Sequence, residues 1–478
     1  MIVVWILLAL VVLFLVVILA RAAAFKPKAE PDVTIEPAEI DADHAIESLQ
    51  KMIQCKTVSY YDASLIDESE FDKFRALLPQ RYPRVFEACT YERIGKSGLL
   101  FTLKGQSSDQ PSVFMAHYDV VPINEAQWDK PAFDGIIEDG ILWGRGTLDT
   151  KGTLCGVLEA AETLLSKGFT PKQDMYFAFA GDEEISGNTQ PQIVAELRKR
   201  GIVPALVVDE GGAVVDNIFP GVQESCAVVG IGEKGMMTAT MTIEGAGGHA
   251  STPPSHTAIG QLAAAVTAIE SHPFPCKLTK PVAEMFDTLG RRSTFLYRLI
   301  FANLWCFLPL LDGICKKSGG ELNAMMRTTC AFTQMEGSKA TNVLPPKAVI
   351  GANLRIIGGE TPATALAYLQ NVAKNPTIRF CDENSMAPSP FSPTEGYAWN
   401  HLKNAIRQTW PEAIVSPYVM LACSDSRHYC AISEHVYRFS AMALSKDERG
   451  RIHGNNERIP TEKIVTTAQF YLRLLRSL

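Results

Sequence analysis

The chain has 478 residues, too many for a single hydrophobic core, so two or three domains are expected. Its apolar content of 47% and charged content of 20% exclude an intrinsically disordered chain. The net charge of −7 gives no reason to expect nucleic-acid binding, and eleven cysteines without a C-x-x-C pair indicate free thiols rather than a disulfide framework.

The N-terminus predicts a membrane-spanning helix. Every residue from Ile2 to Ala20 is apolar, which is long enough to cross a bilayer. No basic residue precedes this run, whereas Arg21, Lys26 and Lys28 follow it. Ala-x-Ala pairs at its end leave a cleavable signal peptide as an alternative, but the long run without a basic start favours an uncleaved anchor over residues 1–24. The positive-inside rule favours a cytoplasmic body, yet three charges do not decide the side of the membrane.

Residues 25–44 are rich in proline and acidic residues and predict a tether. The segment 45–232 then alternates apolar strand patterns with amphipathic helices. Two of these helices, Gly152–Lys167 and Pro191–Arg200, are each followed by a glycine, which is typical of a helix C-terminus. The alternation predicts an α/β domain with a mostly parallel sheet and helices on both faces.

A different pattern occupies residues 233–356. The stretches MMTATMTIEG and KAVIGANLRIIGG alternate like half-buried antiparallel strands around a predicted helix, Ala258–Glu270, and together they predict a separate α+β unit. The apolar stretch Phe295–Ile314 is broken by polar residues and a proline, which argues against a second membrane span. It favours helices packed in a core or an oligomer interface over a ligand wall. Residues 357–478 return to the α/β pattern.

Side chains suited to metal binding follow several predicted strands. Three apolar runs are typical of buried parallel strands: Val113–Ala116, Met175–Ala180 and Ala205–Val208. The carboxyl ends of parallel strands share one edge of a sheet, so residues that follow them should meet. The candidate residues, in chain order, are His117, Asp119, Asp149, Glu183, Glu184, Asp209 and His453. Two imidazoles and several carboxylates without cysteine indicate hydrolytic zinc, with two ions favoured.

Each candidate has an ordinary structural alternative. His117 alone would be a satisfied polar group, but Asp119 can accept its second ring N–H and so predicts a carboxylate that orients it. Asp149 opens a helix and an N-cap role would explain it equally well. The adjacent acids Glu183 and Glu184 repel each other unless a cation or a proton separates them. Taken together, the residues favour a metal site.

Other catalytic templates are missing from the sequence. It contains no H-E-x-x-H zinc motif and no G-x-S-x-G nucleophile elbow. It also contains no G-x-x-x-x-G-K-[ST] phosphate loop, so nucleotide hydrolysis of the P-loop type is excluded.

The candidate residues, in this order, resemble those of the co-catalytic dizinc exopeptidases, the family of glutamate carboxypeptidases, aminoacylases, dipeptidases and carboxypeptidase S. The resemblance runs from about residue 45 to the end and is closest to carboxypeptidase S and the N-acyl-amino-acid hydrolases. It implies two zinc ions per subunit. The implied roles are His117 and Asp209 on one zinc, His453 and Glu184 on the other, Asp149 bridging both, Glu183 as general base and Asp119 as the orienting carboxylate.

The resemblance also implies substrate contacts. Residues 233–356 are similar to the family's lid, which commonly dimerises. His249 in GAGGHAS would hydrogen-bond the developing oxyanion, often from the partner subunit, although a glycine-flanked histidine is usually only a turn. Asn342 and Arg355 would contact substrate, with a turn and a surface charge as their alternatives. Arg427 in CSDSRHY would hold the substrate carboxylate with its planar guanidinium.

These inferences predict a membrane-anchored zinc amidohydrolase or exopeptidase that cleaves the amide next to a free α-carboxylate. Its substrate would be a short peptide or an N-acyl amino acid. A dipeptidase or aminoacylase of the same mechanism is the first alternative. A membrane-tethered zinc-binding protein without turnover is the second, and Glu183 argues against it because binding alone needs no base. A metal-dependent phosphatase is disfavoured because no basic cluster accompanies the candidate ligands.

Overall fold

The computed structural model describes all residues, 1–478. Its helices are α1 Ile2–Ala24, α2 Ala42–Ile53, α3 Glu68–Arg81, α4 Pro83–Ala88, α5 Lys151–Ser166, α6 Thr189–Lys199, α7 Ala258–Ser271, α8 Lys280–Gly290, α9 Phe295–Phe301, α10 Leu304–Ser318, α11 Gly320–Met325, α12 Pro362–Ala373, α13 Gly396–Thr409, α14 Lys446–Arg449 and α15 Thr461–Ser477.

The strands form one large sheet and three smaller ones. They are β1 Thr90–Ile94, β2 Gly98–Leu103, β3 Ser107–His117, β4 Ile136–Glu138, β5 Ile141–Trp143, β6 Gln173–Ala180, β7 Leu206–Val215, β8 Cys226–Glu233, β9 Gly235–Glu244, β10 Gly248–His249, β11 Thr329–Glu336, β12 Val343–Leu344, β13 Lys347–Ile356, β14 Arg379–Met386, β15 Ile414–Met420, β16 Val436–Leu444 and β17 Arg458–Pro460.

The large sheet has the order β1-β2-β6-β3-β7-β16-β8-β15. Its centre is parallel, because β3 pairs in parallel with β6 and β7, and β16 with β7. The strands β1 and β2 and the contacts of β8 with β7 and β16 are antiparallel. The predicted α/β class is therefore confirmed, with a mixed sheet.

Both faces of this sheet are covered, which explains why its central strands are apolar without interruption. Phe114 and Phe177 point into the largest core, beneath α5 and α15. Their neighbours Met115 and Ala178 point to the opposite face, where α6 contributes Ile193. The alternation is the ordinary two-residue period of a strand, and it leaves only the strand ends for polar chemistry.

A second, four-stranded antiparallel sheet has the order β11-β13-β9-β14. Helices α7 and α12 pack against it and form a separate apolar core. Three of its strands come from the predicted α+β unit, 233–356. The fourth strand, β14, lies beyond residue 356 and pairs with β9. The unit thus takes one strand from the segment that follows its predicted end.

The apolar stretch 295–314 forms two helices, α9 and α10, that meet at a bend of 108°. One side of this corner is buried, with Phe301 and Leu311 in the main core. The other side faces outward. The predicted packing in a core therefore describes only the inner side of the two helices.

The N-terminal helix α1 has the length and composition of a membrane span, properties that a signal sequence shares. The segment that follows it contains neither helix nor strand up to Asp41. It lies along the surface of the body instead of extending from it. Lys403 pairs with Glu30 at 2.7 Å, Arg407 donates to the Pro31 carbonyl, and Arg476 donates to the Pro37 carbonyl.

Candidate metal and catalytic site

Asp149 lies between the two candidate imidazoles. His117 ends β3, directly beside the last residue of β6, Ala180. Its Nε2 is 3.0 Å from Oδ1 of Asp149, while Nε2 of His453 is 3.0 Å from Oδ2 of the same carboxylate. His453 is also 2.9 Å from Oε2 of Glu184. Four of the predicted residues, far apart in sequence, therefore share one centre at the edge of the sheet.

Asp119 connects His117 to the acidic turn after β6. Its Oδ1 is 3.4 Å from Nδ1 of His117, whose ring nitrogen lies 3.0 Å from the Asp119 carbonyl oxygen. The same carboxylate accepts the backbone N–H groups of Glu183 and Glu184, each at 3.1 Å, and the hydroxyl of Ser59 at 2.8 Å. A fully buried acid with these donors holds both the imidazole and the turn in place.

Glu210, rather than Asp209, faces the imidazole of His117. Its Oε1 is 3.4 Å from Nε2 of His117. Asp209 instead accepts the backbone N–H of Ser426 at 3.0 Å. Adjacent residues of a strand point to opposite faces, so only one acid of the Asp-Glu pair can point into the centre. The sequence places Asp209 and Glu210 side by side, but the pair alone does not say which of them faces inward.

The centre concentrates negative charge in a buried place. Burial raises the pKa of Glu183 and of Glu184, and burial and the nearby Asp149 raise the pKa of Glu210 to about 8. Burial also opposes ionisation of Asp149, but hydrogen bonds from His117 and His453 hold its pKa below the usual range. Groups that resist ionisation in this way are stabilised by a cation placed among them.

The donor atoms fit divalent metal ions. The ligand atoms of His117, Asp149 and Glu184 lie within 4.8 Å of one another, and so do those of His117, Glu183 and Glu210. Imidazole nitrogen and carboxylate oxygen are the donors of hydrolytic zinc sites. The carboxylate of Asp149 offers one oxygen to each side of the centre, as a group shared by two ions would.

Glu457, which sequence reasoning did not single out, connects the two loops that carry Asp149 and His453. Its carboxylate is 2.6 Å from Nη1 of Arg145 and accepts the backbone N–H of Leu148 at 2.7 Å. Both members of the ion pair are buried. The only signal in the sequence was its position at the end of RIHGNNE, the stretch that contains the histidine.

Three further predicted residues make their hydrogen bonds outside the acidic centre. His249 is exposed and hydrogen-bonds Ser251 within its own loop at 2.8 Å. The carbonyl of Asn342 accepts the backbone N–H of Ala250, so Asn342 and His249 are close to each other. Arg355 bonds its neighbour Asn353. Arg355 lies in β13 of the second sheet, whereas His249 and Asn342 lie in or beside the two-stranded sheet of β10 and β12.

Arg427 has a guanidinium that is only partly paired. Its Nη2 donates to the carbonyl of Ala387 at 2.5 Å, and its Nη1 lies 3.6 Å from Oε2 of Glu233. Nη1 is buried and has no hydrogen-bond partner. Glu233 meanwhile binds Arg438 at 2.5 Å and the hydroxyl of Ser424 at 3.1 Å, so its charge is already shared. A buried N–H donor without a partner remains available to an anionic ligand.

Comparisons with known proteins agree with this geometry. The sequence profile described as "Peptidase family M20/M25/M40" matches residues 113–477. The chain is 36% identical over 448 residues to the N-fatty-acyl-amino acid synthase/hydrolase of Xenopus tropicalis, covering 92% of this chain and 87% of the relative. It is 32% identical over 481 residues to the probable carboxypeptidase S-like 2 of Dictyostelium discoideum, covering 98% and 92%.

A solved structure shares the fold. The M20 family metallo-carboxypeptidase of Sulfolobus solfataricus superposes with a TM-score of 0.67 at 16% sequence identity, covering 91% of this chain and 99% of that one. At this identity the likeness establishes the α/β architecture and not the substrate.

We predict that the contacts of Glu457 stabilise both the fold and the metal-binding centre. We expect Glu457→Gln to lower the thermal midpoint of unfolding, because an unpaired buried Arg145 costs about 3 kcal/mol or more. Bound metal should decrease as well, since the loops of Asp149 and His453 lose their connection. Glu321→Gln is the matched control, because it removes an exposed ion pair to Arg449, at 3.3 Å, which should contribute less than about 1 kcal/mol. Equal shifts in the two variants would contradict the prediction.

Proposed function

Because the chain belongs to peptidase family M20/M25/M40, we propose that it is a dizinc hydrolase that cleaves the amide bond next to a free α-carboxylate. It is an enzyme of the metallopeptidase and amidohydrolase class, as the order of its candidate residues predicted. The position of Asp149 between His117 and His453 is the observation that carries the proposal. Two relatives of this chain are described as an N-fatty-acyl-amino acid synthase/hydrolase and a probable carboxypeptidase S-like protein, which supports substrates of both kinds.

Five residues are proposed as zinc ligands: His117, Asp149, Glu184, Glu210 and His453. Asp209, which the family resemblance implied as a ligand, is proposed to support the centre through its bond to the backbone of Ser426. When bound, the two ions would polarise the scissile carbonyl and acidify a water molecule.

Proton transfer is assigned to Glu183. Its carboxyl group lies among the donor atoms of the centre, and burial raises its pKa. A carboxyl with a raised pKa can take a proton from water and return it to the leaving nitrogen. The backbone of Glu183 is held by Asp119, which keeps this carboxyl in a fixed position relative to His117.

Arg427 is proposed to bind the α-carboxylate of the substrate. Its unpartnered Nη1 supplies a buried donor, and a guanidinium can offer two parallel N–H groups to a carboxylate. Arg355 and Asn342 are proposed as further substrate contacts on the side of the second sheet.

The unit that carries the second sheet is proposed as a lid that also forms a dimer. His249 is exposed and its imidazole hydrogen-bonds only Ser251 in its own loop, which supports a role outside its own chain's centre. In this proposal His249 donates to the oxyanion in the partner's site. The helix α1 is proposed as an uncleaved membrane anchor, supported by its length and apolar composition.

Metal content distinguishes the two acids of β7. We expect Glu210→Gln to reduce bound zinc from about two ions per chain to about one, because it removes a proposed ligand that lies 3.4 Å from His117. Asp209→Asn, the matched control, should retain most of the zinc. Elemental analysis after dialysis against zinc-limited buffer measures both. The reverse outcome would assign the ligand to Asp209.

Replacement of the proposed base should separate binding from turnover. Glu183→Gln should keep its zinc and lower kcat by a factor of about 10² to 10⁴, since a general base contributes on that order. Its neighbour provides the control, because Glu184→Gln should lose zinc together with activity. Wild-type turnover in Glu183→Gln would remove this residue as the base. Two bound zinc ions in a wild type without turnover on any N-acyl amino acid or dipeptide would favour the zinc-binding alternative.

The carboxylate anchor predicts a substrate-dependent effect. For Arg427→Lys we expect KM to rise about tenfold or more with an N-acyl amino acid, because lysine cannot reproduce the bidentate geometry. The same substrate with an amidated carboxyl group should show little difference between variant and wild type. Steady-state kinetics with the two substrates measures KM for the variant and for the wild type. A change of equal size for both would exclude the anchor role.

Complementation between inactive variants tests whether His249 serves the partner's site. Co-expression of His249→Ala with Glu183→Gln should restore about one quarter of wild-type activity, because half of the dimers are mixed and each holds one complete site. Each variant expressed alone is the control. If the mixture stays as inactive as the two variants, His249 does not act across a dimer.

A further inference from the structure

The corner formed by α9 and α10 presents large apolar side chains to the outside. The exposed fractions are 48% for Phe295, 68% for Leu296, 61% for Trp305, 54% for Leu310 and 52% for Ile314. Several large apolar side chains exposed on two adjoining helices are unfavourable in water and mark an interaction site. We call these five residues the outer corner.

The helix α1 packs against this same corner. Phe14 meets the ring of Trp305 edge to face, with centroids 6.0 Å apart. One turn further along, the carbonyl of Ile18 accepts the side-chain N–H of Asn303 at 3.0 Å, and Arg21 donates to the carbonyl of Ala302 at 3.0 Å. Positions 14, 18 and 21 lie on one face of a helix. Trp305, one of the residues of the outer corner, is therefore in contact with the apolar surface of α1.

The position of α1 relative to the corner is fixed at its C-terminal end. The guanidinium of Arg291 lies over the ring of Phe25, with Cζ 4.3 Å from the ring centre of Phe25. Arg291 donates to the carbonyl of Lys26 at 3.0 Å, and Lys28 pairs with Asp287 at 2.8 Å. The helix leaves the body at a defined place, so the corner and the anchor would meet a membrane together.

The charge around the corner is positive, in contrast with the rest of the chain. Residues 291–317 contain five basic residues and one acid, whereas the net charge of the whole chain is −7. Some of these charges are paired within the protein, such as Lys316 with Asp312 at 2.7 Å. Arg292 and Lys317 are exposed and have no ion-pair partner. Basic residues at the border of an apolar face suit anionic lipid headgroups.

We propose that the outer corner is a second membrane contact, which enters the boundary between headgroups and acyl chains beside α1. The level of Arg21 marks the surface in this arrangement. Phe14 is seven residues further along the helix, so Trp305 would reach about 10 Å below that level at 1.5 Å per residue. This depth agrees with the usual insertion of interfacial helices, about 5–10 Å. The proposal rests on α1 as an anchor and not on the hydrolytic chemistry.

Quenching of Trp305 by lipid tests this arrangement. The full-length chain is reconstituted in vesicles of phosphatidylcholine and phosphatidylserine, whose acyl chains are either unmodified or brominated near the middle. The contribution of Trp305 is the difference between the spectra of wild type and Trp305→Phe. We expect this contribution to lose most of its intensity in the brominated vesicles.

Trp143→Phe gives the matched control. Trp143 is half-buried beneath Arg458 in the small sheet of β5, so its contribution should be the same in both kinds of vesicle. If the contribution of Trp305 is also unchanged, the proposal is wrong, and a second copy of the chain becomes the better occupant of the corner. The proposal would also be overturned if intact-mass spectrometry of the purified chain showed that α1 had been removed.

A second variant keeps the test independent of Trp305. Leu296→Glu combined with Leu310→Glu places two charges on exposed positions, where folding should be unaffected. In the brominated vesicles this variant should show less quenching of Trp305 than the wild type, because charged side chains disfavour insertion. Undiminished quenching would show that the outer corner does not lie in the lipid.

Discussion

Negative charge at one edge of the central sheet is the constraint on which the site depends. Asp149, Glu183, Glu184 and Glu210 lie within a few ångströms of two imidazoles, in surroundings where burial opposes ionisation. Such a cluster is stable only if cations or protons lie among the carboxylates. The apolar faces of β3, β6 and β7 supply the rigid frame, and their common edge concentrates the acids. Metal binding and folding of this edge are therefore coupled.

The surrounding structure holds the cluster mainly through backbone N–H donors and buried ion pairs. Asp119 binds the turn of Glu183 and Glu184, and Glu457 binds the loop that ends at Asp149. On the other side, Glu233 joins Arg438 to the segment that carries Arg427. In the proposed function these acids do not act on the substrate. Their effect is to fix the positions of the residues that do.

Much of the fold could be predicted because local pattern and burial agree. The short apolar runs predict strand ends at Ala116 and Ala180, and the strands end at His117 and Ala180. The predicted helix Gly152–Lys167 differs by one residue at each end from α5. The choice between Asp209 and Glu210 could not be made in the same way. It depends on which face of β7 looks toward His117, and a one-residue change of register exchanges the two.

Other features depend on contacts that no local pattern reports. Glu457 and Arg145 are separated by more than 300 residues and meet only in the folded chain. The fourth strand of the second sheet, β14, comes from a segment after the predicted boundary because it pairs with β9. The stretch 295–314 is apolar at most positions, so its sequence does not distinguish a buried helix from one with an outward apolar face. The roles of His249, Asn342 and Arg355 stay predictions.

The segment between α1 and α2 has one more consequence. It is bonded to Lys403, Arg407 and Arg476 and therefore lies against the body. While these bonds hold, an anchored enzyme would neither move away from the bilayer nor rotate freely above it. The active centre would keep a constant distance from the lipid surface and a constant orientation relative to it. A substrate that dissolves in the membrane would then be met by lateral diffusion in two dimensions, while a fully water-soluble one would gain nothing from the arrangement.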